Sequence, residues 1–279
     1  MRLVTKRLPA KKECITNQGK RMASNRKSPA EKREEVVNMD EWVSKHQPVV
    51  SNGLKIKLDH LKTFDPLTDN QRKFFESYKR GDYFIALHGV AGTGKTFCAL
   101  YKAMEEVLDK GNPFKKIIVV RSAVQSREIG HLPGDVSEKM EIYQQPYRQI
   151  CETLFGRKDA WDRLEEQGYI EFISTSFIRG MSFDDAIIIV DEMQNMTFEE
   201  IDTVMTRVGY RSKIIWCGDY RQTDLNKKKN DVSGILKFFD IAYHMYSFTR
   251  IEFDVDDIVR SSLVKDYILA KLRYDDNLA

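Results

Sequence analysis

Five short apolar runs bounded by turn formers recur through the middle of the chain: YFIALHG at 83–89, KIIVVRS at 116–122, YIEFIST at 169–175, AIIIVDE at 186–192 and KIIWCGD at 213–219. Each is too short for a helix and rich in β-branched and aromatic residues, which predicts buried strands. Between the first two runs the period changes. In KTFCALYKAMEEVLDKG, Phe97, Leu100, Tyr101, Met104, Val107 and Leu108 recur at helical spacing and Gly111 follows as a stop. Further helices are predicted over 69–80, 135–155, 158–167, 197–208 and 232–243. Strands that are apolar throughout and alternate with helices predict an α/β domain, a mostly parallel sheet with helices on both faces. From Gly53, GLKIKL alternates apolar and basic residues and predicts a half-exposed strand opening that domain.

Upstream of residue 53 the pattern fades. Residues 1–52 are rich in Lys, Arg, Ser, Asn and Glu, too polar to offset the entropy of ordering, and predict a flexible, largely disordered basic arm, with PAEKREEVVNMDEWV as a short helix within it. The net charge of +3 conceals an asymmetry: residues 1–35 hold eleven Lys and Arg against four Asp and Glu, so the rest of the chain is acidic overall. Such an arm is either a nucleic-acid contact or a solvated terminus. No apolar run reaches the roughly 18 residues of a membrane span, and the first residues lack the core of a secretory signal. The four cysteines, at 14, 98, 151 and 217, form neither a metal motif nor a disulfide framework. A cytoplasmic protein with no membrane partner is the expectation.

The chemistry concentrates where strands end. After the first run comes Gly89-x-x-x-x-Gly94-Lys95-Thr96, the GxxxxGK[ST] pattern, with a helix beginning at once. Gly89, Gly92, Thr93 and Gly94 supply a backbone that cradles phosphate oxygens, Lys95 reaches the β and γ phosphates, and the Thr96 hydroxyl holds Mg²⁺. A second strand ends in Asp191, placed to hold the same metal, and Glu192 follows as the candidate to orient or deprotonate the attacking water. CGDYRQTD puts Asp219 and Gln222 at the end of the next strand, where Gln222 either approaches the γ phosphate or is an ordinary loop side chain. The only Asn-Lys pair, Asn226-Lys227, lacks the Asp of a guanine-reading motif, so ATP is the expected nucleotide. In LTDNQ, Gln71 either reads the adenine edge or closes a capping box with Thr68.

GVAGTGKT, GHLPGDVSEKMEIYQQPY (130–147), VDEMQN, GDYRQTDL and DIVRSSLV (257–264) occur in that order, and over about residues 60–270 the chain resembles the PhoH-like ATPases. LPGD followed by EK and PY is the discriminating segment. The resemblance implies a RecA-like core over 53–279 related to superfamily 1 helicases, Mg²⁺-dependent ATP hydrolysis and action on RNA. It also suggests the short, bacteriophage-type form, because the polar residues ahead of the core are too few for the PIN nuclease domain that members often carry. Arg260 is then either an arginine finger or a salt-bridge partner of Asp256 or Asp257. With no room for a second lobe, the finger is expected to reach a neighbouring subunit's site, making the protein a homo-oligomer, a hexameric ring by family inference.

Two further function classes stand beside this motor on RNA or single-stranded DNA. One is a P-loop kinase or other metabolic ATPase acting on a small molecule; the other is a nucleotide-gated scaffold, which would be expected to lack Glu192. Arg121, Ser122, Gln125 and Arg127 after the second strand, and Lys227 to Lys229, are the candidate contacts to a nucleic-acid backbone.

Overall fold

A computed structural model describes residues 55–122, 136–219 and 234–276. In chain order these form α1 (Asp69–Arg80), β1 (Phe84–Gly89), α2 (Lys95–Leu108), β2 (Lys116–Arg121), α3 (Val136–Phe155), α4 (Ala160–Glu166), β3 (Ile170–Ser174), β4 (Ala186–Asp191), α5 (Phe198–Met205), β5 (Lys213–Gly218), α6 (Ile235–Ala242), β6 (Phe248–Phe253) and α7 (Ser262–Asp276).

The five predicted strands all form, and a sixth joins them in the order β3-β2-β4-β5-β1-β6. Every pairing is parallel, so all six strands end at one edge of the sheet. The alternation within each strand explains the runs. Ile85, Leu87, Ile117, Val119, Ile187 and Ile189 face one cluster, packed by α1, α2, α3 and α4. Phe84, Ala86, Ile118, Val120, Ile188 and Val190 face another, packed by α5 and α6. A side chain buried on either face contributes about 1.5–3 kcal/mol, so a strand covered on both sides is apolar through its middle, and the buried polar residues of such strands, His88, Asp191 and Lys213 among them, stand near strand ends. This is the expected RecA-like architecture, a parallel sheet with helices on both faces.

Three elements depart from the sequence reading. The strand expected over 53–58 is absent from its described part: Lys55 to Lys57 are irregular and Leu58–His60 is a single 3₁₀ turn. Ile56 alone is buried, anchored in the α1–α4 core, and one anchored residue between lysines mimics period two over so short a stretch. The apolar pattern predicts neither α7 nor β6. The β6 sequence FTRIEF buries Ile251 and Phe253 and leaves Arg250 and Glu252 exposed, as befits an edge strand. The basic arm 1–52 lies outside the described residues. Among the described residues no helix is long and apolar enough to cross a membrane.

β6 also fixes the course of the chain at the end of β1. Gly89 pairs with Phe253 at a φ of 120°, and a Cβ built there would meet the Phe253 carbonyl oxygen at 2.0 Å. Gly81, which caps α1 at a φ of 91°, has nothing within 4 Å of such a Cβ. Gly81→Ala should therefore cost only the left-handed strain of about 1–2 kcal/mol, whereas Gly89→Ala adds a backbone collision and should cost at least ~3 kcal/mol. Urea unfolding of the two variants measures the difference.

Candidate nucleotide site

The turn from β1 into α2 builds a site from backbone. Gly94 is the N-cap of α2 in left-handed conformation, at φ 80°, and the helix starts at Lys95. The first amides of α2 point out of the helix, and its dipole puts partial positive charge at the same place. Val90 N donates to Phe253 O at 3.0 Å, so the loop is tied to β6. Lys95 is buried and its Nζ donates to Gly89 O at 3.0 Å, Val90 O at 2.7 Å and Thr93 Oγ1 at 3.2 Å. These are neutral acceptors. Burial lowers the lysine's pKa, and surrounding acidic groups, Asp219 foremost, oppose the shift.

β4 brings its acid to the same spot. Thr96 Oγ1 donates to Asp191 Oδ1 at 2.8 Å across 95 residues of sequence, and Tyr147 OH, from α3, donates to Asp191 Oδ2 at 2.9 Å. Burial pushes the Asp191 carboxyl up, the Glu192 carboxylate adds to that, and the two hydroxyl donors pull it back. A hydroxyl and a carboxylate oxygen this close are the hard donors a divalent cation such as Mg²⁺ takes, with phosphate and water completing its shell. The described residues fit that group: Thr96 and Asp191 would hold it, and Lys95 with the α2 amides would hold the phosphates.

Glu192 sits just past the strand end at a φ of 53°, a left-handed conformation uncommon for glutamate. Gln194 clamps it: Nε2 donates to Glu192 Oε2 at 2.5 Å, while Oε1 accepts Asp219 N at 3.0 Å. A Cβ on Gly218 would stand 2.4 Å from that Oε1, so the clamp needs a glycine at the end of β5.

A cavity of about 910 Å³ contains Lys95, Thr96, Asp191, Glu192 and Arg260 and continues past Phe64 toward α3. That lies within the roughly 300–1,000 Å³ of small-molecule sites. Gln71 is buried at its wall with both amide ends engaged: Oε1 accepts Leu67 N at 2.8 Å and Nε2 donates to Thr93 O at 3.0 Å. The capping box forms only by half, since Thr68 Oγ1 accepts Gln71 N but the glutamine reaches Leu67 instead of Thr68. Arg260 stands over the phosphate loop of its own chain, its Cγ 3.0 Å from a Cβ built on Gly92, while Val259 N donates to Gly92 O at 3.1 Å. It makes no ion pair among the described residues; Asp257 instead accepts Asn70 Nδ2 at 2.6 Å.

The structure thus brings together Gln71, Gly89, Gly92, Thr93, Gly94, Lys95, Thr96, Asp191, Glu192 and Arg260. Gln222, Gln125, Arg127 and Lys227 to Lys229 lie outside the described residues. Arg121 faces inward, its guanidinium 5.6 Å from the Tyr143 ring, and Ser122 donates to Glu200 at 2.6 Å. Tyr147 and Gln194 join the site without having stood among its candidates. Their positions, 44 and two residues from the groups they bind, form no motif that spacing alone identifies.

Comparison with known proteins agrees with the motif order. The profile of the family described as "PhoH-like protein" matches residues 63–271. A PhoH-like protein of Bacillus subtilis (strain 168) is 35% identical over 233 residues, covering 83% of this chain and 70% of that protein. One from Mycobacterium leprae (strain TN) is 34% identical, covering 80% of this chain and 63% of its own length. The chain therefore spans less than two thirds of the mycobacterial relative. Among solved structures, the large terminase of a thermophilic bacteriophage gives a TM-score of 0.42 at 11% identity, over 73% of this chain and 50% of that one. The Pif1 helicase of Candida albicans gives 0.32 at 13%, over 68% and 40%.

A histidine beside the phosphate loop makes a pH-dependent contribution to stability. His88, buried beside the loop, accepts a hydrogen bond from Arg250 Nε, and burial, with Arg250 and Lys95 adding, lowers its pKa to about 4. An unfolded histidine titrates near 6.5, so below that pH the unfolded chain binds a proton the folded one refuses. This contribution is complete above about pH 6.5 and is lost as the pH falls toward 4, by up to about 3 kcal/mol. Thermal unfolding at pH 7.5 and pH 5 should show a smaller difference in His88→Gln than in the unaltered protein.

Proposed function

The chain belongs to the PhoH-like protein family, and from that membership and the site's geometry we propose that it is a Mg²⁺-dependent, motor-type ATPase acting on RNA or single-stranded DNA. The observation that carries the reading is the meeting of Lys95, Thr96 and Asp191 at one end of the sheet, with Thr96 Oγ1 and Asp191 Oδ1 2.8 Å apart. Lys95 exchanges its carbonyl partners for the β and γ phosphates of ATP. The α2 amides hold the phosphate oxygens, and Thr96 and Asp191 hold the metal, which when bound neutralises charge developing on the transferring phosphoryl group. Glu192, released from Gln194, orients the attacking water. Residues 53–279 form the ATPase domain, and the basic arm contributes to polymer contact.

ATPase rates with and without single-stranded RNA test this reading. Stimulation by the polymer is expected, and Lys95→Ala should lower hydrolysis by at least about 10²-fold with either RNA or DNA. Turnover that ignores polymer but requires a metabolite would turn the assignment toward a small-molecule kinase; no turnover at all would leave a nucleotide-gated scaffold.

Arg260 supplies positive charge to the γ phosphate, a role worth about 10³–10⁵ in rate for an arginine finger. Its place over Gly92 of its own chain supports action within one subunit. A homo-oligomeric ring, six-membered by family inference, is the setting in which it would instead act on a neighbour. Mixing Arg260→Ala with Glu192→Gln chains under subunit exchange separates the two. Action within a subunit predicts no recovery of ATPase activity, and recovery would establish action between neighbours.

A further inference from the structure

The segment from Gly130 to Tyr147 supplied the most discriminating part of the family resemblance, yet the proposed function gives it no role. Its described part lies on α3, and it ends at the phenol that touches Asp191. Tyr147 is buried, and its ring lies 6.3 Å from that of Trp161 and 5.8 Å from that of Phe172. Packing against two aromatic rings leaves the hydroxyl little freedom.

We propose that Tyr147 is a positioning residue for the metal-binding acid. Its hydroxyl engages Oδ2 of Asp191 and leaves Oδ1 as the oxygen that faces Thr96 and the cation. This rests on the reading of Thr96 and Asp191 as the Mg²⁺ site.

The terminal torsion of an aspartate is broad and nearly two-fold, so a carboxylate with no second partner presents either oxygen, or both, to a metal. Mg²⁺ tolerates little departure from octahedral geometry, so the orientation of a carboxylate ligand bears directly on affinity. Asp191 has its two oxygens assigned to different partners, Thr96 on Oδ1 and Tyr147 on Oδ2. Tyr147 is also close to Arg121, the register partner of Asp191 on β2, whose guanidinium lies 5.6 Å from the ring of Tyr143 one turn earlier on α3. The helix thus contacts the ends of two neighbouring strands, β2 and β4, of which β4 carries the metal-binding acid.

A merely structural tyrosine predicts a different outcome from a positioning one. In Tyr147→Phe the ring packing survives and only the hydroxyl is lost. Binding of a non-hydrolysable ATP analogue is followed by calorimetry at stepped Mg²⁺ concentrations. The Mg²⁺ concentration for half-maximal binding is expected to rise about 10–100-fold, the range typical when a hydrogen bond to a metal ligand is removed. Binding in EDTA should be unchanged, and circular dichroism should show the native fold. A half-saturation within twofold of the unaltered protein, in a folded variant, overturns the proposal.

Asp191→Asn supplies the second arm. In that background Tyr147→Phe should produce no further change in the Mg²⁺ response, and an additive loss would mean that the hydroxyl acts elsewhere. If Asp191→Asn itself leaves the Mg²⁺ dependence intact, the assignment of the metal site fails, and the role of Tyr147 fails with it.

Discussion

One hydrogen bond, Thr96 Oγ1 to Asp191 Oδ1, summarises the constraint on which the site depends: a loop after β1 and an acid after β4 must arrive at the same point in space. β5 lies between the two strands, so the meeting requires that all three end together. A wholly parallel sheet provides this, because every strand delivers its last residue to the same edge. The two apolar cores exist to keep that edge in register. The buried polar groups of these three strands stand near their ends, where the chain leaves the apolar middle of the sheet.

The site is held by side-chain amides as much as by charges. Gln71 joins the Leu67 amide to the Thr93 carbonyl, and Gln194 joins Glu192 to the Asp219 amide. Gln71 links two segments that no backbone ladder connects, and Gln194 ties the β4 and β5 ends together past their last paired residues. With both ends of its amide engaged, Gln71 serves as a brace of the phosphate loop. Gln194 ties Glu192 to the end of β5 in the same manner.

Much of this was legible in sequence because burial writes itself in composition. The five central strands are continuous apolar runs, which a sheet covered on both faces demands, and Lys95, Thr96 and Asp191 follow from their distance to a strand end. β6 escaped because an edge strand needs only half its residues apolar, and FTRIEF resembles a loop with two anchors. GLKIKL misled for the converse reason: one buried isoleucine among lysines has the period of a strand without a partner to pair with. α7 has apolar residues around much of its circumference, including exposed Leu263 and Tyr267, and so lacks the stripe that marks a helix. Tyr147 and Gln194 act through contacts that only the folded chain creates.

The attachment of the phosphate loop to β6 has a dynamic consequence. Edge strands have ladder partners on one side only and belong to the portions of a fold that open most readily in local fluctuations. Here the outermost strand receives the Val90 amide and fits against Gly89. Fraying of that border therefore loosens the anion cradle without unfolding the centre of the sheet, and amide hydrogen exchange at Val90 tracks the opening of β6 more closely than that of β4.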